Sequence, residues 1–200
     1  IDRNLILLSG NLMQQLMKKT VVLILMGLGI SMGLMAQKGK PELVKPDLPV
    51  NKETGLISYN GVVELPASKG DDLYRKALMW ANSYYKNPAD VIRERDSVAH
   101  KIVCKARYRI TNEPDKDGVS TPAGDVMYTL TIEMKDGKFR YEMTRFNWQQ
   151  KSAYPIERWR DQQGSVFSWY LKQTDEKATE VVHSLKKAML SEEKKGSTDW

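Results

Sequence analysis

Apolar and polar positions alternate most regularly between Val126 and Thr144. Val126, Tyr128, Leu130, Ile132 and Met134 interleave with Met127, Thr129, Thr131, Glu133 and Lys135. After Asp136-Gly137, Phe139, Tyr141 and Met143 interleave with Lys138, Arg140, Glu142 and Thr144. Period two marks strands with one buried face, and a two-residue Asp-Gly loop between them is a strong hairpin signal. A loop of that length fixes the register. Met134 then opposes Phe139, Ile132 opposes Tyr141 and Leu130 opposes Met143 on the core side. Glu133 opposes Arg140 on the other side. Ile102, Cys104, Ala106, Tyr108 and Ile110 alternate in the same way with Val103, Lys105, Arg107 and Arg109 and predict a third half-buried strand.

Upstream, Leu56 to Leu65 predicts a strand in which Gly61 marks a bulge and which Pro66 ends. Ser68-Lys69-Gly70-Asp71 has the spacing of a capping box, with Asp in place of Glu. Leu73, Ala77, Trp80 and Tyr84 form the apolar stripe of the helix that follows, stopped by Asn87-Pro88. Val91 to Asp96 predicts a strand, Ser97 to Lys101 a turn, and Asn112 to Gly124 a loop. Residues 149–173 form an aromatic connector, with a short strand expected at Val166 to Leu171. Thr174 is the expected cap of a final helix over 174–195, with Ala178, Val181, Val182, Leu185, Ala188 and Met189 as its stripe and Gly196 as its stop. The order strand, helix, four strands, helix predicts an α+β fold: an antiparallel sheet of βαβ4 order with the C-terminal helix packed on it.

The first 54 residues have a different character. Met17-Lys18-Lys19 precedes an uncharged run from Thr20 to Ala36, the pattern of a signal peptide cleaved after Ala36. Met17 is the natural start, so residues 1–16 are expected to be an untranslated upstream extension. No cysteine follows the cut, which argues against a lipid anchor. Export to the periplasm or beyond is the expected destination, with no stable membrane span after cleavage. Residues 37–54, punctuated by Pro41, Pro46 and Pro49, are expected to be an extended linker, and the core domain runs from 55 to 148.

Composition narrows the function classes. The net charge of +6 falls to +4 once residues 1–36, with Arg3, Lys18, Lys19 and Asp2, are set aside. All 17 aromatic residues lie beyond that segment, which argues for a packed domain. One cysteine excludes an internal disulfide, and two histidines make a structural zinc site improbable.

Gly55-Leu56-Ile57-Ser58-Tyr59, Leu73-Tyr74-Arg75-Lys76-Ala77 with Trp80, Val91-Ile92-Arg93-Glu94 and Lys135-Asp136-Gly137-Lys138-Phe139-Arg140-Tyr141 belong together as a set. Over residues 55–148 the chain resembles a family of exported bacterial proteins of unknown function with a TATA-binding-protein-like fold. The resemblance implies export from a Gram-negative cell and the βαβ4 core. It implies no catalytic or binding residues and no cofactor.

The candidate chemistry is sparse. Lys105, Arg107, Arg109, Lys138 and Arg140 fall on the outward side of the sheet, where Glu133 and Glu142 are placed to pair with them. Mild charge and export speak against nucleic acid as a partner. Asp115-Lys116-Asp117-Gly118 resembles a calcium loop, but Gly124 stands where the bidentate Glu belongs. His100 and His183 are expected to be surface residues with no acid spaced to recruit them, and Cys104 a buried, inert thiol. No nucleophile elbow, phosphate loop or zinc motif occurs. Trp148, Tyr154, Trp159, Phe167, Trp169 and Tyr170 either cover the sheet or line a sugar- or peptide-binding groove. The candidate ligand contacts are therefore Trp148, Tyr154, Trp159, Trp169, Arg107 and Arg140. The expected function is a non-enzymatic interaction module meeting a protein or other cell-envelope component. The alternative is a glycan-binding or weakly hydrolytic protein built on 148–170, with Glu157 or Asp161 as its acid.

Overall fold

The computed structural model describes residues 43–150 and 152–191. The expected upstream extension and signal peptide, and the stop at Gly196, lie outside the described residues. Strand β1 (Ser58–Glu64) leads to helix α1 (Gly70–Tyr84), the single turn α2 (Pro88–Val91) and β2 (Ile92–Asp96). Strands β3 (Lys101–Thr111), β4 (Pro122–Lys135), β5 (Lys138–Gln149) and the short β6 (Ala153–Pro155) follow. A 3-10 turn (Ile156–Arg160) precedes the long helix α3 (Ser165–Leu190). The antiparallel sheet runs β1-β5-β4-β3-β2, with β6 beside the far end of β5. This is the α+β architecture expected from the alternation.

The hairpin register holds: Met134 pairs with Phe139, Ile132 with Tyr141, Leu130 with Met143 and Glu133 with Arg140. The turn is not the primed type that Asp-Gly suggests, because Gly137 has φ 81° while Asp136 is not among the residues with positive φ. The reason is tertiary. Gly137 N donates to Ser68 O (2.9 Å), Gly137 O accepts from Leu65 N (2.6 Å), and Asp136 Oδ1 accepts from Gly70 N (2.8 Å). Asp136 thus takes a first-turn amide of α1 from a distant strand turn, in place of the local capping box expected at Ser68. Lys69 stands at the cap position, and its side chain makes no cap bond to the helix backbone but reaches Asp136 Oδ2 (3.3 Å). Gly61 marks no bulge: β1 pairs without interruption, and the glycine makes room for Tyr141, whose hydroxyl would lie 2.7 Å from an added Cβ.

The bulge lies on β5 instead. Arg145 takes φ 57° and the β4–β5 register shifts between Met127 and Thr129. Below it, Phe139, Tyr141 and Met143 face the core; above it, Phe146 does, fully buried. One inserted residue changes the phase of the strand.

Two expectations fail in the C-terminal third. Val166 to Leu171 is helix, not strand, and Thr174 is a buried interior residue of α3, not its cap. Its hydroxyl bonds back to Tyr170 O (3.0 Å), as a mid-helix Thr does. Tyr170, Leu171, Thr174, Ala178, Val181, Leu185 and Met189 form one buried stripe, so burial overrides the strand preference of the aromatic segment. Gly164, at φ 118°, turns the chain into the helix.

Residues 43–54 also differ from the expected linker. Leu48 is buried, Val50 bridges to Ile57, and Lys45 Nζ donates to Arg160 O (2.5 Å) and Gln162 O (3.0 Å). The core between the sheet and the helices is filled by Leu73, Trp80, Ile102, Leu130, Phe139 and Leu185, among others.

Candidate functional site

The sheet has two unlike faces. α1 and α3 cover the side carrying Phe139, Tyr141 and Met143. The opposite side presents Asn60, Val62 and Glu64 from β1, Lys138, Arg140 and Glu142 from β5, and Met127, Thr129, Thr131 and Glu133 from β4. Lys101, Val103, Lys105, Arg107 and Arg109 of β3 complete it. Among the described residues no helix lies on this side. Two shallow grooves of about 300 Å³ and 310 Å³ share Val62, Glu133 and Arg140 in their walls.

Most charges on this face are matched locally. Arg140 bonds Glu133 across the hairpin, as the register predicts, and holds its carboxyl below the usual range. Arg109 and Arg107 share Asp125 (3.2 and 3.9 Å), Lys101 meets Glu94 (3.0 Å) and Lys138 meets Glu64 (3.9 Å). The pairing through Asp125 of β4 was not anticipated, since Glu133 of β4 and Glu142 of β5 were the expected partners. The face is a lattice of exposed pairs around threonines, each pair contributing little to stability.

The six candidate contacts do not form one site. Arg107 and Arg140 sit on the bare face. Trp148, Tyr154 and Trp159 cluster elsewhere with Tyr170, ring centroids 5.4 Å apart for both Trp148–Trp159 and Trp159–Tyr170. Trp159 is 3% exposed, and Trp148 Nε1 donates to Ala123 O (2.9 Å). Trp169 stands apart at the end of β3, donating to Thr111 O (2.9 Å) beside Gln173, whose amide bonds both polar groups of the Thr111 backbone. Of these aromatics, Tyr154 alone is strongly exposed, at 42%. The segment closes the core between β5 and α3.

The carboxylates follow the same pattern. Glu157 Oε1 accepts from Ile57 N (3.0 Å), and its other oxygen is buried without a partner. Asp115 Oδ1 takes the amides of Asp117 and Val119 (both 2.9 Å), so it closes a turn. His100 corrects the expectation of an unaccompanied surface residue: Nε2 lies 2.7 Å from Asp71 Oδ1, because α1 folds back onto the β2–β3 turn. Tyr74 and Gly70 pack against the same ring, so the contact locks the turn to the helix. Cys104 lies buried, as the alternation indicates, and burial pushes its thiol up to about 12. Burial and Asp175 together push the Tyr59 phenol up. Among the described residues no cluster of three His, Cys, Asp or Glu side chains is arranged to hold a metal, and no helix is long and apolar enough to cross a membrane.

A feature that sequence reasoning missed is the outer edge of β1. Among the described residues no strand pairs with it beyond Ser58. The neutral run Asn60-Gly61-Val62-Val63 was the available signal.

Residues 59–149 match a family model described as a domain of unknown function (DUF4468) with TBP-like fold. Two solved structures share the fold. One is a DUF4468 family protein from Bacteroides ovatus, 14% identical, with TM-score 0.59 over 75% of this chain and 92% of that one. The other is a TBP-like protein from Parabacteroides distasonis, 13% identical, with TM-score 0.57 over 70% of this chain and 96% of that one. Both likenesses reach beyond the span of the family model, so the shared architecture takes in more than residues 59–149. No curated protein matches the sequence.

Proposed function

Residues 59–149 match a family defined by its fold rather than by an activity, and from that premise we propose that this is a non-enzymatic, exported binding module. It meets a protein or another cell-envelope component with the bare face of its sheet. The carrying observation is the division of the sheet: α1 and α3 cover one side, while among the described residues nothing is packed over Val62, Met127, Thr131, Arg107 and Arg140 on the other. Threonines, an exposed Met and paired charges make a surface that can exchange its salt bridges for a partner's without exposing the core. The aromatic segment 148–170 supports a glycan or hydrolytic reading less well, since three indoles and Glu157 are engaged in packing and backbone bonds.

Export rests on Met17-Lys18-Lys19 and the apolar run to Ala36. N-terminal sequencing of the secreted chain tests it, and a retained Met17 refutes it. The binding face is tested by a photo-crosslinking residue at Met127 or Thr131 in the native envelope. Adducts are expected from these positions and not from Glu176 on α3. Equal labelling from both sides removes the proposal. Nucleic acid is not the expected partner; salt-dependent retention of RNA or DNA on a filter would reverse that view.

A further inference from the structure

The two edges of the sheet are protected differently. Edge β2 carries Arg93, Glu94, Arg95 and Asp96 and a register shift between Ile92 and Glu94. Charges and bulges are the usual guards against strand addition. Edge β1 has neither guard from Asn60 to Val63, and Val62 is 60% exposed.

The backbone bonds fix which groups that edge offers. Ser58 N points away from β5, to Pro49 O (3.0 Å), and Leu65 N points toward the hairpin, to Gly137 O (2.6 Å). By the alternation of a strand, the N–H and C=O groups of Asn60, Val62 and Glu64 face outward. The open stretch is bounded by Ser58, already bonded, and by Pro66, which has no N–H. Its midpoint is Val62.

We infer that this edge is a dimerisation site, whose occupant is β1 of a second copy of the chain, antiparallel about a two-fold axis at Val62. In that register Val62 opposes Val62, and the Asn60 amide opposes the Glu64 carboxylate twice. The three facing pairs can exchange six backbone hydrogen bonds. The side-chain order neutral, apolar, acidic is self-complementary when reversed, as an isologous contact requires. Parity places the bare faces of both sheets on the same side, so the dimer carries one continuous binding surface. A contact this short is small, and the dimer is concentration-dependent.

The test uses the secreted chain and two variants. Val62→Pro removes one outward N–H and leaves the β5 pairing intact, since edge positions tolerate proline. Val62→Cys places two thiols across the axis at a Cα separation of about 5.5 Å, within disulfide range. Cys104 is buried and does not compete. Sedimentation velocity is expected to show a monomer–dimer equilibrium that Val62→Pro shifts at least tenfold toward monomer, with unchanged circular dichroism. Val62→Cys is expected to form a disulfide dimer faster than Val98→Cys, a control on the 92% exposed Val98 of the β2–β3 turn. Equal rates for the two thiols overturn the proposal. So does a dimer that Val62→Pro leaves intact, or a Val62→Cys chain that crosslinks only to a different polypeptide.

Discussion

The Glu157 carboxylate accepts the Ile57 amide at 3.0 Å, across 100 residues of sequence. The bulge at Arg145 explains the contact. Ile57 lies where β1 would continue beside β5, but β5 diverges there, and the Ile57 N–H loses its strand neighbour. Thr144 Oγ1 takes the Ile57 carbonyl (2.9 Å), and Glu157 takes the amide. A residue that resembles a catalytic acid in sequence is a substitute for a missing strand.

Glu157→Ala therefore leaves a part-buried N–H without an acceptor and is expected to cost about 1–3 kcal/mol. Glu157→Gln keeps the accepting oxygen and is expected to cost less. Urea titration of both variants checks this; equal costs would mean that the carboxylate acts otherwise.

The aromatic segment is expected to behave as core. Trp159→Ala removes a side chain that is 3% exposed and is expected to cost about 3–5 kcal/mol. Tyr154→Ala is expected to stay within about 0.5 kcal/mol. Equilibrium unfolding monitored by tryptophan fluorescence separates the two.

The Asp136 carboxyl sits below its usual range because the Gly70 amide and Lys69 favour its charged form. Its contribution is complete above the unfolded value, about 3.9, and is lost as pH falls through the lower folded value. Asp136→Asn keeps an acceptor for Gly70 and a favourable Asn-Gly turn. The thermal midpoints of wild type and this variant should differ near neutral pH and converge in acid. A gap that persists in acid would assign the effect to something other than the charge.

Cys104 should resist alkylation in the native protein at pH 8, because burial holds its thiol protonated to about 12. The free thiol ionises near 8.5. Stability should therefore fall as pH rises above that value, since the unfolded chain releases the proton first. Iodoacetamide labelling across a urea series should track global unfolding; rapid labelling without denaturant would contradict the burial.

Periodic signals carried most of the fold. The register through Met134–Phe139 and Glu133–Arg140 followed from the length of one loop, because the period of a strand leaves no freedom once the turn is set. Long-range polar contacts were not legible. Asp136 capping α1, Asp71 meeting His100 and Glu157 replacing a strand each join distant elements. The misread start of α3 has a different cause. Trp169 and Tyr170 have strand preferences, and only their burial beside Leu171 and Thr174 makes them helical. Among the candidate contacts, the outward positions of Arg107 and Arg140 were legible from parity, whereas the engagement of Trp148, Trp159 and Trp169 depends on the tertiary fold.

The extra residue at Arg145 makes β5 two modules in one strand. The segment before it serves the bare face and the segment after it serves the aromatic closure, with opposite parity. A one-residue deletion there would merge the two phases into one regular alternation, with Phe146 opposite Tyr128 and still facing inward. Substitutions on the outward positions of 138–144, by contrast, leave the inward set of 146–148 untouched. The protein can thus vary its contact surface without renegotiating its core, and Arg145 is the joint that permits it.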